Sequence, residues 1–256
     1  MSIRREWIGI KAILFDLYGT LAYEAVSEES FRDKAHKQLV DYLNSLGYTV
    51  KLKELLRAYN ENLERSLNEI KGTLNELDMM CVYWRTLKDL GINPTTTLIK
   101  KCLNIFYSIE VKCMKLYPDV IPTLVNLKRA GLRLAIVSNA TLRFEYVVSY
   151  LGLYKYFDVL MASYKTTKVK PHPVLFMKAL SHLGVKPEES IMIGDTYETD
   201  IITAKEIGLK AILIARKGHV ELIKGLYRQR LVTPDVIISN LHELSELLTI
   251  KRRERA

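Results

Sequence analysis

The segment KAILFDLYGTLAYE, residues 11–24, decides the fold. Four apolar residues, 12–15, run directly into Asp16, and Tyr18, Gly19 and Thr20 follow. A short apolar run that ends in an acid and a glycine turn is typical of a buried strand in a parallel sheet. The segment therefore predicts a strand that delivers Asp16 to a functional edge, and it raises the question of what Tyr18 does beside it.

Strand and helix patterns alternate from about residue 116 onward. Helical patterns separate short apolar runs, which favour strands at 132–138, 157–163, 190–195, 210–215 and 234–239. This alternation is typical of a parallel sheet covered by helices on both faces. The first strand, 10–16, has to join the same sheet, so we expect an α/β fold with a doubly wound parallel sheet.

The segment from about residue 25 to 112 interrupts this pattern. Its apolar residues recur at helical spacing, and four amphipathic helices account for them. Thr73 and Glu76 have the spacing of a capping box, which predicts that the third of these helices begins there. We expect residues 1–22 and 116–256 to form the core, and residues 23–115 to form an inserted helical domain.

Composition narrows the class of protein. Of the 256 residues, 48% are hydrophobic and 26% are charged, as in soluble globular proteins. No apolar run approaches the roughly 20 residues that span a bilayer, and the three cysteines lack metal-ligand spacing. The net charge of +9 is spread along the chain, apart from a dense end at 250–256. We expect a cytoplasmic protein that binds neither nucleic acid nor a membrane, and whose charge favours a phosphorylated small molecule.

Three predicted strands end in polar residues. Asp16 ends the first strand, Ser138 and Asn139 end the second, and Asp195 ends the fourth. Ligand sites in such sheets lie beyond the carboxyl ends of the strands, where the strand order reverses. Asp16 and Asp195 repel each other unless a cation lies between them, and oxygen ligands suit Mg²⁺. Lys170 and the Ser138 hydroxyl can stabilise a phosphoryl group, and a carboxylate can attack phosphorus.

Asp200 follows Asp195 after about one turn of the next predicted helix. It is placed to orient Lys170 or a metal-bound water. The alternative is that its charge only complements the helix dipole.

Four short motifs together resemble those of haloacid dehalogenase-like (HAD) hydrolases. In chain order they are Asp16-Leu17-Tyr18-Gly19-Thr20, Ser138-Asn139, Lys170-Pro171, and Gly194-Asp195 with Asp200. The resemblance covers nearly the whole chain. It implies a Rossmann-like core, a mobile helical cap domain at the insertion, and Asp16 as the nucleophile.

The resemblance also implies roles for the other motif residues. Thr20 belongs to the catalytic set with Asp16 and Tyr18. The phosphoryl group or the leaving anion is bound by Ser138, Asn139 and Lys170. Mg²⁺ is held by Asp16, the backbone carbonyl of Tyr18, Asp195 and Asp200.

Tyr18 departs from the phosphatase pattern. Phosphatases of this family usually carry a second aspartate at this position, which protonates the leaving group, and a phenol with an ordinary pKa of about 10 is a poor substitute. The opening FDLYGTL instead resembles that of 2-haloacid dehalogenases, which need no acid for their leaving group. Such enzymes also use an arginine from the early cap to receive halide or carboxylate. Arg32 and Arg57 are candidates, and the alternative for each is a solvated helix residue. Such dehalogenases tend to carry serine and asparagine where this chain has the acidic fourth motif.

We weight the acidic fourth motif above the tyrosine. The sequence therefore predicts a Mg²⁺-dependent phosphatase of small phosphorylated metabolites that acts through an aspartyl-phosphate. The first alternative is a 2-haloacid dehalogenase that acts through an aspartyl ester. The second is a weakly catalytic protein that binds a phosphorylated ligand. The oligomeric state is left open by the sequence.

Overall fold

The computed structural model of the chain describes Trp7 and residues 9–26, 28–216 and 232–249. It divides into two compact units. The first contains Met1–Tyr23, Leu116–Asn139 and Leu153–Ala256, and the second contains Glu24–Lys115 and Ala140–Gly152. Residues 140–152, which we expected in the core, thus group with the helical segment. The basic end at 250–256 lies outside the described residues.

A six-stranded parallel sheet forms the centre of the first unit. The described residues include the strands β1 (Ala12–Phe15), β2 (Ala22–Glu24), β3 (Met114–Leu116), β4 (Arg133–Ser138), β5 (Val159–Ala162), β6 (Ser190–Gly194), β7 (Lys210–Ile214) and β8 (Val236–Ile238). The large sheet has the order β5-β4-β1-β6-β7-β8, and all its neighbouring strands are parallel. Strands β2 and β3 form a separate pair, in which the chain passes between the two units. The predicted doubly wound α/β fold is confirmed.

Helices cover the large sheet. Within the part of the chain that the structure describes, the α-helices are α1 (Glu28–Ser45), α2 (Leu52–Ile70), α3 (Met79–Asp89), α4 (Thr96–Glu110), α5 (Val120–Arg129), α6 (Arg143–Tyr150), α7 (Val174–Leu183), α8 (Thr203–Glu206) and α9 (His242–Thr249). Ala12 and Leu14 of β1 belong to one buried cluster with Phe176 of α7 and Ala204 of α8. Ile13 and Phe15 point to the opposite face and are also fully buried, so both faces are covered. Among the described residues, no helix has both the length and the hydropathy to cross a membrane.

The second unit is helical, as predicted. Its core is a single cluster from α1 to α4 in which Leu39, Tyr59, Tyr83 and Phe106 are buried. No β-strand occurs within residues 28–110, all of which the structure describes.

The predicted start of the third helix was wrong. Helix α3 begins at Met79, because the Asp78 carboxylate accepts hydrogen bonds from the Met80 and Cys81 N–H groups and caps it. The Thr73 hydroxyl instead donates to the Ile70 carbonyl at the end of α2.

Candidate active site

Asp16 lies at the centre of the carboxyl edge of the sheet. The preceding residue, Phe15, is level with Ile136 of β4 on one side and with Ile193 of β6 on the other. The Asp16 N–H continues this ladder and donates to the Ile193 carbonyl at 2.9 Å. The ends of β4 and β6, which carry Ser138 and Gly194, therefore flank the Asp16 side chain. This is the reversal of strand order at which such sheets bind ligands.

A cavity of about 440 Å³ opens at this edge within the first unit. All the predicted site residues line it except Thr20, which is buried. Thr196 and Thr199, which the sequence did not single out, line it as well. The structure thus brings together residues that lie up to 184 positions apart in the chain, Asp16 and Asp200.

The Lys170 ammonium group is buried and fully hydrogen-bonded. It donates to Asp16 Oδ1 at 2.8 Å, to the Val137 carbonyl at 2.9 Å and to Asp200 Oδ1 at 2.6 Å. An ammonium has three donors, so all of them are used. Burial alone lowers the pKa of Lys170, but the charges of Asp16 and Asp200 outweigh it and hold this pKa above its ordinary value. A bound anion therefore meets a permanent positive charge, and it forms a direct bond to Lys170 only by replacing one of these partners.

Asp200 is held in place by an unusual helical turn. The expected helix after Asp195 begins as a π-helical turn, Tyr197–Ile202, and only then continues as α8. Such wide turns concentrate at functional sites. Asp200 Oδ2 accepts the Thr196 N–H at 3.1 Å, which leaves Oδ1 for Lys170. A Cβ on Gly194 would lie 2.2 Å from Asp200 Oδ2, so only glycine permits this approach.

These contacts bear on the charge of Asp200. Burial raises its pKa, the Lys170 ammonium opposes that shift, and the Asp16 charge adds to it. Both oxygens of Asp200 accept protein hydrogen bonds, and the geometry is that of a group that orients Lys170.

Asn139 clamps the backbone of the lysine loop. Its side-chain amide donates to the Lys170 carbonyl at 3.0 Å, and its Oδ1 accepts the Lys170 N–H at 2.6 Å. The amide thus uses both ends on one residue of the loop between β5 and α7. In this structure Asn139 acts on the site through the position of Lys170.

Unlike the Asn139 amide, the Ser138 hydroxyl is not hydrogen-bonded to any of the described residues. Ser138 is 1% exposed, and its Oγ is buried. A buried hydroxyl without a partner costs free energy, about 1–3 kcal/mol. Because Ser138 lines the cavity, a bound oxygen-rich group can supply the missing partner.

Carboxylate oxygens of Asp16, Asp195 and Asp200 lie within 4.8 Å of one another. This all-oxygen set suits Mg²⁺. Partial removal of the Asp195 carboxylate from solvent, together with the charge of Asp16, raises the pKa of Asp195 to about 6. Lys170 neutralises Asp16 but makes no bond to Asp195, so a divalent cation that shares oxygens of Asp16 and Asp195 fits these residues.

The turn after Asp16 presses against Asp195. Gly19 has a φ of +74°, and a Cβ built on it would lie 2.1 Å from Asp195 Oδ2. Glycine is the one residue without this clash and strain. The Thr20 hydroxyl makes a long contact of 3.5 Å with Asp195 Oδ1.

Tyr18 lines the cavity with a half-buried side chain whose hydroxyl oxygen is buried. Among the described residues that line the cavity, the only carboxyl groups are those of Asp16, Asp195 and Asp200. The structure thus offers no further carboxyl group from these residues for a proton transfer. The two arginines considered for halide lie in the second unit, where Arg32 of α1 is half-buried and Arg57 of α2 is exposed.

Sequence reasoning missed one charged residue near the site. Arg216 follows β7, and its guanidinium group donates to the Thr20 carbonyl. The signal was available, because Arg216 is the first polar residue after a predicted strand, as Asp16 and Asp195 are.

The fold and the site define an α/β protein with an acidic site at the switch point of its sheet. The family model for haloacid dehalogenase-like hydrolases matches residues 10–208. The chain therefore belongs to the haloacid dehalogenase-like hydrolase family, and the predicted family and hydrolase class are confirmed.

Two similar proteins carry the name glyceraldehyde 3-phosphate phosphatase. The protein from Pyrococcus furiosus is 30% identical over 241 residues, with 93% of each chain covered. The protein from Methanopyrus kandleri is 28% identical over 220 residues, which cover 83% of this chain and 87% of the relative. Among solved structures, a 2-haloacid dehalogenase from Pseudomonas syringae has a TM-score of 0.71 at 23% identity, covering 94% of this chain and 99% of that one. At this identity the structural likeness bears on the fold alone.

Proposed function

We propose that the chain is a Mg²⁺-dependent phosphatase of small phosphorylated metabolites, with Asp16 as its nucleophile. The observation that carries the proposal is the pair of carboxylates at neighbouring strand ends. Asp16 and Asp195 need a cation between them, whereas displacement of halide at carbon makes no use of a second carboxylate. The names of the two archaeal relatives support the same choice.

Asp16 is the nucleophile that the contacts favour. Lys170 holds its Oδ1, which leaves Oδ2 as the attacking oxygen. In the first step Oδ2 forms a bond to phosphorus, the bond from phosphorus to the leaving oxygen breaks, and the leaving oxygen takes a proton. In the second step water attacks phosphorus, so phosphate and a proton depart and the Asp16 carboxylate is restored.

The remaining residues stabilise the transferring group. Lys170 keeps a positive charge beside the attacked phosphorus, and the Ser138 hydroxyl can donate to a phosphoryl oxygen. Asp16, Asp195 and the Tyr18 carbonyl would hold Mg²⁺, whose chemistry when bound is to neutralise charge on phosphoryl oxygens. Asp200 takes part through Lys170, because both of its oxygens are engaged by the protein.

The leaving group receives little help from this chain. With Tyr18 at the position of the usual acid, the described residues that line the cavity offer no carboxyl group beyond Asp16, Asp195 and Asp200, and the leaving oxygen takes its proton from solvent. Well-placed general acids typically contribute about 10²–10⁴-fold. We therefore propose a phosphatase that is slow on esters with poor leaving groups.

The test is hydrolysis of phosphate monoesters, with glyceraldehyde 3-phosphate as the first substrate because it is named for two relatives. Wild type should release phosphate with Mg²⁺ and lose turnover in EDTA. Asp16→Asn and Asp195→Asn should lose at least 10²-fold, since they remove the nucleophile and a metal ligand. Asp235→Asn is the matched control, because Asp235 pairs with Lys205 away from the cavity.

One observation favours the dehalogenase alternative, namely the lack of a free carboxyl group beside Tyr18. The two reactions leave different adducts on Asp16, a phosphoryl group or a carboxyalkyl ester. Mass spectrometry of rapidly quenched enzyme distinguishes them. Halide release from 2-chloropropionate in EDTA, with no phosphate release from any monoester, would reject the phosphatase.

A further inference from the structure

Arg216 connects three distant parts of the first unit. Its Nε and Nη2 donate to the Thr20 carbonyl at 3.1 and 2.6 Å, and its Nη1 pairs with Asp119 Oδ2 at 2.5 Å. The guanidinium carbon, Cζ, lies over the ring of Tyr117, 4.0 Å from its centroid. Both charged side chains are less than one-tenth exposed. Planar, bidentate donation with stacking is a geometry that arginine provides and lysine does not.

The ion pair is fixed from its acidic side as well. Asp119 precedes α5, and its Oδ2 also accepts the Leu241 N–H at 2.6 Å before α9. Its other oxygen, Oδ1, is buried and has no hydrogen-bond partner among the described residues. Arg216 therefore supplies the positive charge beside the buried Asp119 carboxylate, and the pair forms a support that joins the turn to the starts of α5 and α9.

This support holds the turn that follows Asp16. Residues 17–22 form a tight turn in which the Leu21 and Ala22 N–H groups both donate to the Leu17 carbonyl. Within it, the Gly19 N–H donates to the Ala22 carbonyl. The Thr20 carbonyl points out of the turn and is taken by Arg216.

The turn fits closely against the acidic site. Gly19 touches the Asp195 carboxylate so closely that a single methyl group would collide with it. The same turn includes the Tyr18 backbone and begins one residue after Asp16. A small displacement of Thr20 therefore alters the spacing between Asp16 and Asp195.

We propose that Arg216 is a positioning residue, which holds the turn 17–22 through the Thr20 carbonyl and thereby sets the spacing of the Asp16 and Asp195 carboxylates. Arg216 is not among the described residues that line the cavity, so its effect runs through the turn. The proposal rests on the proposed phosphatase reaction only for its turnover measurement. Two other measurements, metal binding and backbone exchange, are independent of that reaction.

The test compares Arg216→Lys with Arg133→Lys. Lysine keeps the positive charge for Asp119 but cannot also donate twice to the Thr20 carbonyl. Arg133 is the matched control, since it also donates to backbone carbonyls, those of Leu183 and Gly184, but at the amino end of β4, away from the cavity. Arg216→Ala is measured alone and with millimolar guanidinium, with ethylammonium as the control cation.

Three results are expected of Arg216→Lys. Hydrogen exchange of the amides in residues 17–22 should speed up about tenfold, since the lost hydrogen bond involves a charged group. The calorimetric Mg²⁺ affinity and kcat per folded protein should each fall by about tenfold or more. Arg133→Lys should change none of these. Guanidinium, but not ethylammonium, should restore part of the turnover of Arg216→Ala.

Unchanged exchange in residues 17–22 of Arg216→Lys overturns the proposal, even when the melting temperature falls. Unchanged Mg²⁺ affinity and kcat in the folded variant overturn it as well, because Arg216 then has a structural role only. If wild type hydrolyses no phosphate monoester, the proposed function fails while exchange and metal binding still decide the role of Arg216. If wild type binds no Mg²⁺, exchange alone decides it.

Discussion

The Lys170 ammonium lies 2.6 Å from Oδ1 of Asp200, and both side chains are nearly inaccessible to solvent. A buried ion pair is stable when further hydrogen bonds satisfy its remaining donors and acceptors. Lys170 also donates to Asp16 and to a backbone carbonyl, and Asp200 also accepts the Thr196 N–H. The pair therefore fixes a positive charge beside Asp16.

Asp200→Asn tests this pair. The amide keeps an acceptor for Lys170 but loses the charge, so Lys170 should be held less firmly beside Asp16. A hydrogen bond to a charged group contributes about 1.5–3 kcal/mol, and we expect kcat/KM to fall about 10- to 100-fold. Steady-state kinetics on a phosphate monoester, normalised to folded protein, measure this. Asp235→Asn is the control, and equal kinetics in the two variants would contradict the role of Asp200.

Gly19→Ala should lower turnover far more than the backbone strain of an alanine at a positive φ explains. The new Cβ would meet Asp195 Oδ2, so the carboxylate has to move. A displacement of about 1 Å can cost 10²-fold in rate, and we expect a loss of that order in turnover together with weaker Mg²⁺ binding.

Gly131→Ala separates strain from collision. Gly131 has a similar φ of +80° but no atom within 4 Å of the position of a Cβ. This variant should lose about 1 kcal/mol of stability and keep its turnover. If both alanine variants keep full turnover, the close fit between Gly19 and Asp195 is not needed for activity.

Tyr18→Asp should raise turnover on phosphate esters with poor leaving groups. A carboxylic acid can protonate the departing alkoxide, and the gain should reach about 10²-fold if the new side chain is well aimed. Nitrophenyl phosphate should gain much less, because its leaving group needs little protonation. The measurement is kcat against leaving-group pKa for both proteins. An unchanged dependence on leaving-group pKa would count against a missing acid at this position.

His36 should make the stability of the protein depend on pH. It is buried in α1 between the rings of Tyr59 and Phe106, its Nδ1–H donates to the Arg32 carbonyl, and burial lowers its pKa to about 4. The unfolded chain takes up a proton near pH 6.5, and the folded chain does so only near pH 4. Stability should therefore be fully present above pH 6.5 and fall by up to about 3 kcal/mol between pH 6.5 and pH 4.

Urea unfolding at several pH values in this range measures the effect. His36→Phe keeps an aromatic ring and cannot titrate, so its stability should vary less with pH by about that amount. His182→Gln is the control, because His182 makes the same type of bond, to the Lys178 carbonyl, but is exposed. An equal pH dependence in wild type and His36→Phe rules out this role.

Much of the architecture could be read from local patterns. Continuous apolar runs of three to five residues predicted every strand of the large sheet, because strands buried on both faces need such runs. The residues directly after those runs, Asp16, Ser138 and Asp195, were predicted to meet because parallel strands share one carboxyl edge. The helical insertion followed from a change of period, and the family from four short motifs in order.

Other features depend on contacts between distant segments. Helix α3 begins at Met79 because the Asp78 carboxylate before it accepts two N–H groups of the first turn, although Thr73 and Glu76 carried the capping pattern. The segment 140–152 groups with the helical unit, which no local pattern indicates.

Within the site, the hydrogen-bond partner of each polar group could not be predicted from the sequence. The sequence left two roles open for Asp200, to orient Lys170 or a metal-bound water, or to complement the helix dipole. In the structure the π-helical turn places its Oδ1 within hydrogen-bond distance of Lys170. The sequence predicted that Asn139 binds the substrate, whereas in the structure the Asn139 amide forms two hydrogen bonds to the Lys170 backbone.

The sequence therefore specifies which residues reach the carboxyl edge, because strand length and alternation are local properties of the chain. The folded chain determines which partner each side chain takes there. Hydrogen bonds and charges act over a few ångströms in space, and Lys170 and Arg216 meet their partners across 154 and 196 positions of sequence.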